Sequence, residues 1–442
     1  MRRKSMWVAA TCILALVGLR PVFSSGAASA SKEKVLYAFT GGADGAYPES
    51  QLTLDSAGNL YGTTSGGGRA VTGCGDDGSG TVFELVRSQS GWKEQVLYTF
   101  GSYDGDGCGP QAGLTFDIAG NLYGTTLGGG GADGGGTVFK LTPNGKGEWT
   151  ESILASGIGD FPSAVVIDAS GNLYFTVSQG LSGGRSCNDF GCGGVFELSP
   201  QMDGSWQKTT VHVFQGAPEN DGAWPQSGVL LDSAGNLYVA TEYGGVNGCH
   251  SNQYNSDYPP TGCGGIYEFT NNSGTWTETT IYTFERGDGR AICPLGKPAF
   301  DHAGNLIGPT FLGGNGLGTF YELTPGKNGV WNQSVQYRFF GHGNGSRPLG
   351  NLTVGGEHRV YGVTSAISTK EEATAFELDD SVPRWKGKVL HTFSGGSDGL
   401  NPKAGMIMDR QGHLYGTTYQ GGGGTGCYQP YAGCGTVYEV NP

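Results

Sequence analysis

Four segments of this 442-residue chain share the pattern Asp-Gly-x-x-Pro, at Asp44–Pro48, Asp106–Pro110, Asp221–Pro225 and Asp398–Pro402. Looser versions hold Asp160 and Asp288, and Asn344 stands in another. Carboxylates repeated in this way have the chemistry of a calcium site, because Ca²⁺ takes several oxygen ligands at close range. The same residues make a turn without any ion. Asp accepts backbone N–H bonds, Gly turns, and Pro sets the chain ahead of the next strand. Even recurrence along the chain spaces the acids apart and favours the turn. Asp44, Asp106, Asp221 and Asp398 remain calcium candidates behind that reading, and no other cofactor is expected.

Cysteines and tyrosines form a second group. Cys187 and Cys192, Cys249 and Cys263, and Cys427 and Cys434 each fall within one loop between expected strands. Cys74 and Cys108 fall in two loops of the same face and can pair, which leaves Cys293 as the odd thiol. The spacings C-x4-C and C-x13-C, without matched histidines, do not resemble a zinc module, so disulfides are expected. The stapled loop at 244–265 holds His250, Gln253, Tyr254, Asp257 and Tyr258, and the one at 421–435 holds Tyr428, Gln429 and Tyr431. Asp189 and Phe190 sit inside the smallest staple. Tyrosines beside amides and carboxylates suit stacking on and hydrogen bonding to a sugar or peptide. The plainer reading is a solvated loop stapled for want of a core.

No local motif for catalysis stands out: there is no G-x-S-x-G elbow, no H-E-x-x-H and no grouped Ser/His/Asp set. Gly73–Gly78 fits G-x-G-x-x-G but precedes a strand instead of opening a helix, so it is no nucleotide loop.

These residues must be positioned by a repeat. A block of four short runs recurs, its first strand starting near Val35, Val96, Ile153, Val211, Ile281, Val335 and Val389. In the second block the runs are VLYTF at 96–100, GLTFD at 113–117, NLYGTT at 121–126 and GTVFKL at 136–141. β-Branched and aromatic runs between glycines read as strands and turns, and no sustained helical period appears. The spacing predicts an all-β, seven-bladed β-propeller of four-stranded antiparallel blades over residues 31–442. The chain opens on VLYAF at 35–39 and closes on TVYEV at 436–440, so the N-terminal strand is expected to pair with the last blade and close the ring. Asp-x-x-Gly-Asn turns at Asp55, Asp117, Asp168, Asp232 and Asp301 join the first hairpin of a blade. Trp92, Trp149, Trp206, Trp276, Trp331 and Trp385 are expected to pack between blades.

The ends and the charge narrow the class. Arg2-Arg3-Lys4, an apolar run from Met6 to Leu19 and Ala28-Ser29-Ala30 read as a secretory signal peptide over residues 1–30. That run is shorter than the roughly 20 residues of a membrane span. The remainder is expected to be secreted or periplasmic, without a membrane span. The net charge is −13; removing residues 1–30 takes away Arg2, Arg3, Lys4 and Arg20 and no acid, leaving −17. Such a surface, without a basic cluster, excludes nucleic acid as a partner.

NLYGTTSGGG at 59–68, GTVFEL at 80–85 and WKEQVLYTF at 92–100 resemble the Gloeobacter–Verrucomicrobium (GloVer) tandem repeat of bacterial exported proteins, and the likeness runs over residues 35–442. The G-N-L-Y element is also similar to the blades of NHL-type and gluconolactonase-like propellers. The resemblance implies an exported repeat protein, in a family whose members often carry one of several C-terminal anchors and have no established activity. This chain ends at Pro442, directly after a strand, which suggests a released monomer. The expected function is a non-enzymatic module binding a glycan, a peptide or another protein. The alternative is a metal-dependent lactonase-like or carbohydrate-active enzyme at the mouth of the central channel. That would require acids and histidines that break the sevenfold repetition.

Overall fold

The structure, a computed structural model, describes residues 33–442 apart from 73, 132–133, 182–186, 188–189, 247–248, 250–260, 287–290, 342, 366–370, 383–384 and 428–432. The expected signal peptide therefore lies outside the described residues, as do Asp189 and Asp288. So do all eight candidate ligand residues: His250, Gln253, Tyr254, Asp257, Tyr258, Tyr428, Gln429 and Tyr431.

The repeated runs become seven antiparallel sheets, the blades of a propeller. Blade 1 runs outward from the axis through Thr53–Leu54, Leu60–Thr64, Thr81–Ser88 and Gly91–Thr99. Blades 2 to 6 begin with inner strands Thr115–Phe116, Val166–Ile167, Val229–Leu231, Ala299–Phe300 and Pro348–Gly355. Blade 7 supplies only Ile407–Met408, Leu414–Thr418 and Thr436–Val440, and its outer strand is Lys34–Ala38 from the other end of the chain. Val35 lies opposite Tyr438 and Ala38 opposite Thr436, so the ring closes as the order of runs predicts.

One difference from the sequence reading is the shortness of the inner strands in every blade but the sixth. GLTFD pairs over only Thr115–Phe116. Near the axis the blades converge, and the preceding residues bond to a neighbouring blade instead: Thr63 Oγ1 donates to the Ala112 carbonyl and Thr125 Oγ1 to that of Ser163.

Each turn is saturated locally. Asp117 Oδ1 accepts the N–H groups of Ala119 and Asn121, and Oδ2 accepts Asn121 Nδ2 and the Tyr123 hydroxyl. In blade 7, His413 replaces the Asn and still reaches Asp409 through Nδ1 at 2.9 Å. The core lies between blades. One cluster joins Tyr61, Val82, Leu97 and Phe100 of blade 1 to Leu114, Leu122, Phe139 and Leu141 of blade 2. Trp92, Trp206 and Trp276 each meet a tyrosine of the preceding blade edge-on: Tyr415, Tyr123 and Tyr174. Gly62 shows why the strand NLYGTT needs its glycine. A Cβ there would stand 2.6 Å from Phe83 and 2.9 Å from Leu52.

A polar seam runs outside this core. Tyr98, on the outer strand of blade 1, donates its hydroxyl to Asp106 Oδ2 at 2.9 Å. Glu151, on the outer strand of blade 2, is close enough for Asp106 to raise its pKa. Tyr37, Asp44 and Glu94 repeat the arrangement one blade back. Burial above all, aided by the facing aspartate, pushes Glu33, Glu94 and Glu151 up to about 7. For Glu151 a hydrogen bond from Tyr103 works against the rise.

Two outcomes follow from these contacts. Removing residues 31–38 exposes the Thr436–Val440 edge, and the melting temperature should drop with a gain in self-association by light scattering. An unchanged melting temperature would show that the strand is dispensable. The raised glutamates bind protons more tightly folded than unfolded. Their contribution to stability is therefore complete below about pH 4.5 and is lost as pH rises through about 7. The urea midpoint should fall between pH 5 and 8, and Glu94→Gln with Glu151→Gln should flatten that slope; a slope unaltered in the double variant contradicts the assignment.

Candidate functional site: the axial channel

The loop bearing Asp-Gly-x-x-Pro carries the chain from the rim of one blade to the axis of the next. Its Asp lies at the rim and is held in its own loop. Asp44 accepts Thr40 N, Thr40 Oγ1, Gly42 N and the Tyr37 hydroxyl; Asp106 accepts Ser102 N, Gly107 N and the Tyr98 hydroxyl. Asp221 and Asp398 accept backbone N–H bonds likewise but meet His212 and His391 where the others meet tyrosine. Among the described residues, no two of the four calcium candidates share a cluster of ligand atoms. The following glycine is required by packing, since a Cβ on Gly107 would press 2.6 Å from Thr126, half of a buried hydroxyl pair with Thr137.

The residue before the proline has positive φ in every blade: Tyr47, Gly109, Phe161, Trp224, Cys293, Arg347 and Asn401, all between 53° and 64°. Such a conformation costs a non-glycine residue about 1–3 kcal/mol. Backbone bonding on both sides holds it. Cys293 N–H donates to the Cys263 carbonyl of the preceding blade, and its own carbonyl accepts from Phe311. Trp224 bridges Cys192 and Glu242 in the same way.

Beyond the proline the chain enters a channel of about 570 Å³. Here the repetition stops. One residue after the prolines stand Glu49, Gln111, Ser163, Gln226, Leu295, Leu349 and Lys403; two further on stand Gln51, Lys297 and Asn351 among small or apolar residues. Lys403 Nζ bonds Glu49 at 2.6 Å and lies 3.5 Å from the centre of the Tyr419 ring. Asn351 Nδ2 donates to Gln51 Oε1 at 2.9 Å. Gln226 Nε2 donates to Glu242 Oε2 at 2.6 Å, and burial raises Glu242 to about 7. The Lys297 backbone N–H donates to Asn351 Oδ1 at 3.3 Å, while its ammonium has no ion pair or hydrogen bond among the described residues, and burial lowers its pKa.

The sequence reading missed Glu49, Lys403, Lys297, Gln51, Asn351 and Glu242. The available signal was the recurring proline: one and three residues after it the blades disagree with one another, while their strands agree. The disulfides lie on the loop face, as Cys74–Cys108, Cys187–Cys192, Cys249–Cys263 and Cys427–Cys434, with Cα separations of 5.1–5.6 Å. Cys293 is free and buried. At the opposite face, where the sixth repeat has lost its Asp-x-x-Gly-Asn turn, a second cavity of about 570 Å³ is lined by Asp301, His302, Glu322, His358, Asp380 and Trp385. His302 is tied to the Gly356 carbonyl there, His358 to Asp380, and Glu322 to Asn305.

Residues 22–251 and 186–431 match the family model described as the Gloeobacter/Verrucomicrobia repeat. No curated protein matches the chain. Among solved structures, hydrazine synthase of Kuenenia stuttgartiensis is 11% identical with a TM-score of 0.51, covering 85% of this chain and 94% of that one. PorZ of Porphyromonas gingivalis, a surface component of its type-IX secretion system, is 13% identical with a TM-score of 0.50, covering 90% of this chain and 46% of that one. A luciferin-regenerating enzyme is 12% identical with a TM-score of 0.42, covering 93% of this chain and 95% of that one. At such identities the likeness is one of fold.

Burial, together with the nearby Glu242, pushes the Cys293 thiol well above its usual pKa. In the native chain from residue 31 onward it should resist a thiol reagent such as DTNB. Denaturation without reductant should release one reactive thiol per chain. Two or more would contradict the four disulfides.

Proposed function

The chain belongs to the Gloeobacter/Verrucomicrobia repeat family, and on that footing we propose that it is an exported binding module whose axial channel takes an acidic segment of a glycan or peptide. Export is supported by the four disulfides, which persist in oxidising compartments. No helix among the described residues is long and apolar enough to cross a membrane.

The observation that carries the reading is Lys297. An ammonium in the channel without an anion of its own among the described residues, on a residue whose backbone N–H bonds Asn351 Oδ1, gains most from a ligand that brings a carboxylate. Lys403 and Gln111 line the same channel, so hydroxyl and carbonyl groups of the ligand also find donors. The net charge of −13 repels anions at long range. That repulsion is screened beyond about 8 Å at physiological salt, whereas a partly buried pair is screened much less. The channel lining contains no histidine among the described residues, and its Glu49 carboxylate is tied to Lys403. This favours binding over hydrolysis there.

Acidic oligosaccharides containing uronic acid and acidic peptides, tested by calorimetry against neutral counterparts, should be retained selectively. Lys297→Met should weaken the retained ligand about 10–100-fold, the range expected for loss of a hydrogen bond to a charged group, while Lys297→Arg keeps most of the affinity. Equal binding of neutral ligands with no effect of Lys297→Met would reject the channel as the site.

A further inference from the structure

The seam between outer strands repeats around the ring, but its central residue changes. Tyr37, Tyr98, Tyr282 and Tyr337 occupy the position in four repeats; His212 and His391 occupy it in two. With tyrosine, the phenol donates its one proton to the loop acid, as from Tyr98 to Asp106, and an oxygen of the glutamate opposite stays buried without a partner: Glu94 Oε1 and Glu151 Oε1. With histidine, the group in the middle brings a lone pair when neutral.

The two histidine interfaces have the same composition. His212 Nε2 lies 3.0 Å from Asp221 Oδ2 and 3.0 Å from Glu278 Oε2, so one ring nitrogen faces two carboxylates. His391 Nε2 lies 2.7 Å from Asp398 Oδ1, and Glu33, the residue before the strand that closes the ring, joins them. In each trio one ligand atom per residue falls within 4.8 Å of the others. We infer that these two blade interfaces are binding sites for a divalent transition-metal ion of the zinc type, one held by His212, Asp221 and Glu278 and the other by His391, Asp398 and Glu33.

The two distances from the His212 imidazole suit such an ion. A tetrahedral site with bonds of about 2 Å has ligand atoms roughly 3.3 Å apart, within a few tenths of the separations at His212. The aspartates are themselves held by hydrogen bonds, as ligating carboxylates are. Asp221 is fixed by the N–H groups of Gln215 and Gly222 at 2.7 and 2.6 Å, and Asp398 by Ser394 N and Oγ at 2.7 Å. The imidazoles are held edge-on against Phe214 and Phe393, each at 4.9 Å. One imidazole with two carboxylates is a zinc-like donor set. Ca²⁺ takes six to eight oxygens, more than the two carboxylates bring.

The structure also supplies the variant that tests this. Since tyrosine already serves this position elsewhere in the ring, His212→Tyr and His391→Tyr should fold normally, with a metal-free melting temperature equal to that of the parent. Chelator-treated, tag-free protein titrated with ZnCl₂ alone should bind two equivalents by calorimetry and native mass spectrometry. Each single variant should bind one, and the double variant none. Zinc should raise the melting temperature of the parent and leave that of the double variant unmoved. CaCl₂ at the same concentration should not bind. Failure to bind zinc at tens of micromolar, two equivalents persisting in the double variant, or calcium taken up in place of zinc would each overturn the assignment.

Discussion

Seven blades can share an axis only if the chain crosses, seven times, from the outer edge of one sheet to the inner edge of the next. The Asp-Gly-x-x-Pro segment solves that crossing. Its aspartate collects the loop's backbone donors, its glycine rests on a buried threonine pair, and the residue before the proline bends into the left-handed region. There it gives its N–H to one blade and its carbonyl to the other. At Tyr47, Trp224, Cys293 and Arg347 the strain persists because two backbone bonds over-determine it. Both candidate sites hang on this segment: its proline delivers the channel lining, and its aspartate stands at the outer seam.

Repetition and function are therefore separated by position within the repeat. Strand residues agree from blade to blade because each must fit the face of a nearly identical neighbour, as Gly62 fits Phe83. Residues just past the proline bond to the neighbouring blade through backbone carbonyls, which set no requirement on the side chain, so the side chains lining the axis are free to differ. Glu49, Lys297, Asn351 and Lys403 differ there in charge, size and hydrogen-bonding capacity.

That separation also explains what could be read from the chain in advance. The blades, the Asp117-type turns, the closure by Val35–Phe39 and the cysteine pairs were legible because each depends on neighbours in sequence or on a fixed period. The channel was not, because it takes one or two residues from each of seven repeats and leaves no contiguous motif. The tyrosines of 250–262 and 428–431 drew attention for the opposite reason, being grouped along the chain. The inner strands were read too long because their partners near the axis belong to another blade, and no local pattern reports that. His212 and His391 carry no local motif, and their equivalence lies only in the repeat position they share with the tyrosines.

The closing strand ties the two ends of the chain together, with Val35 opposite Tyr438. Joining residues some 400 apart instead of 60 costs only about 1.7 kcal/mol more in chain entropy, by the logarithmic law of loop closure. The thermodynamic burden is small, but the order of events is fixed. The strand made first waits for the strand made last, and until then the edge Thr436–Val440 lies open. That edge cannot tell its own N-terminal strand from one belonging to another copy. At high concentration the bonds that close one ring will also link rings in a chain of exchanged strands, and dilution before closure decides between them.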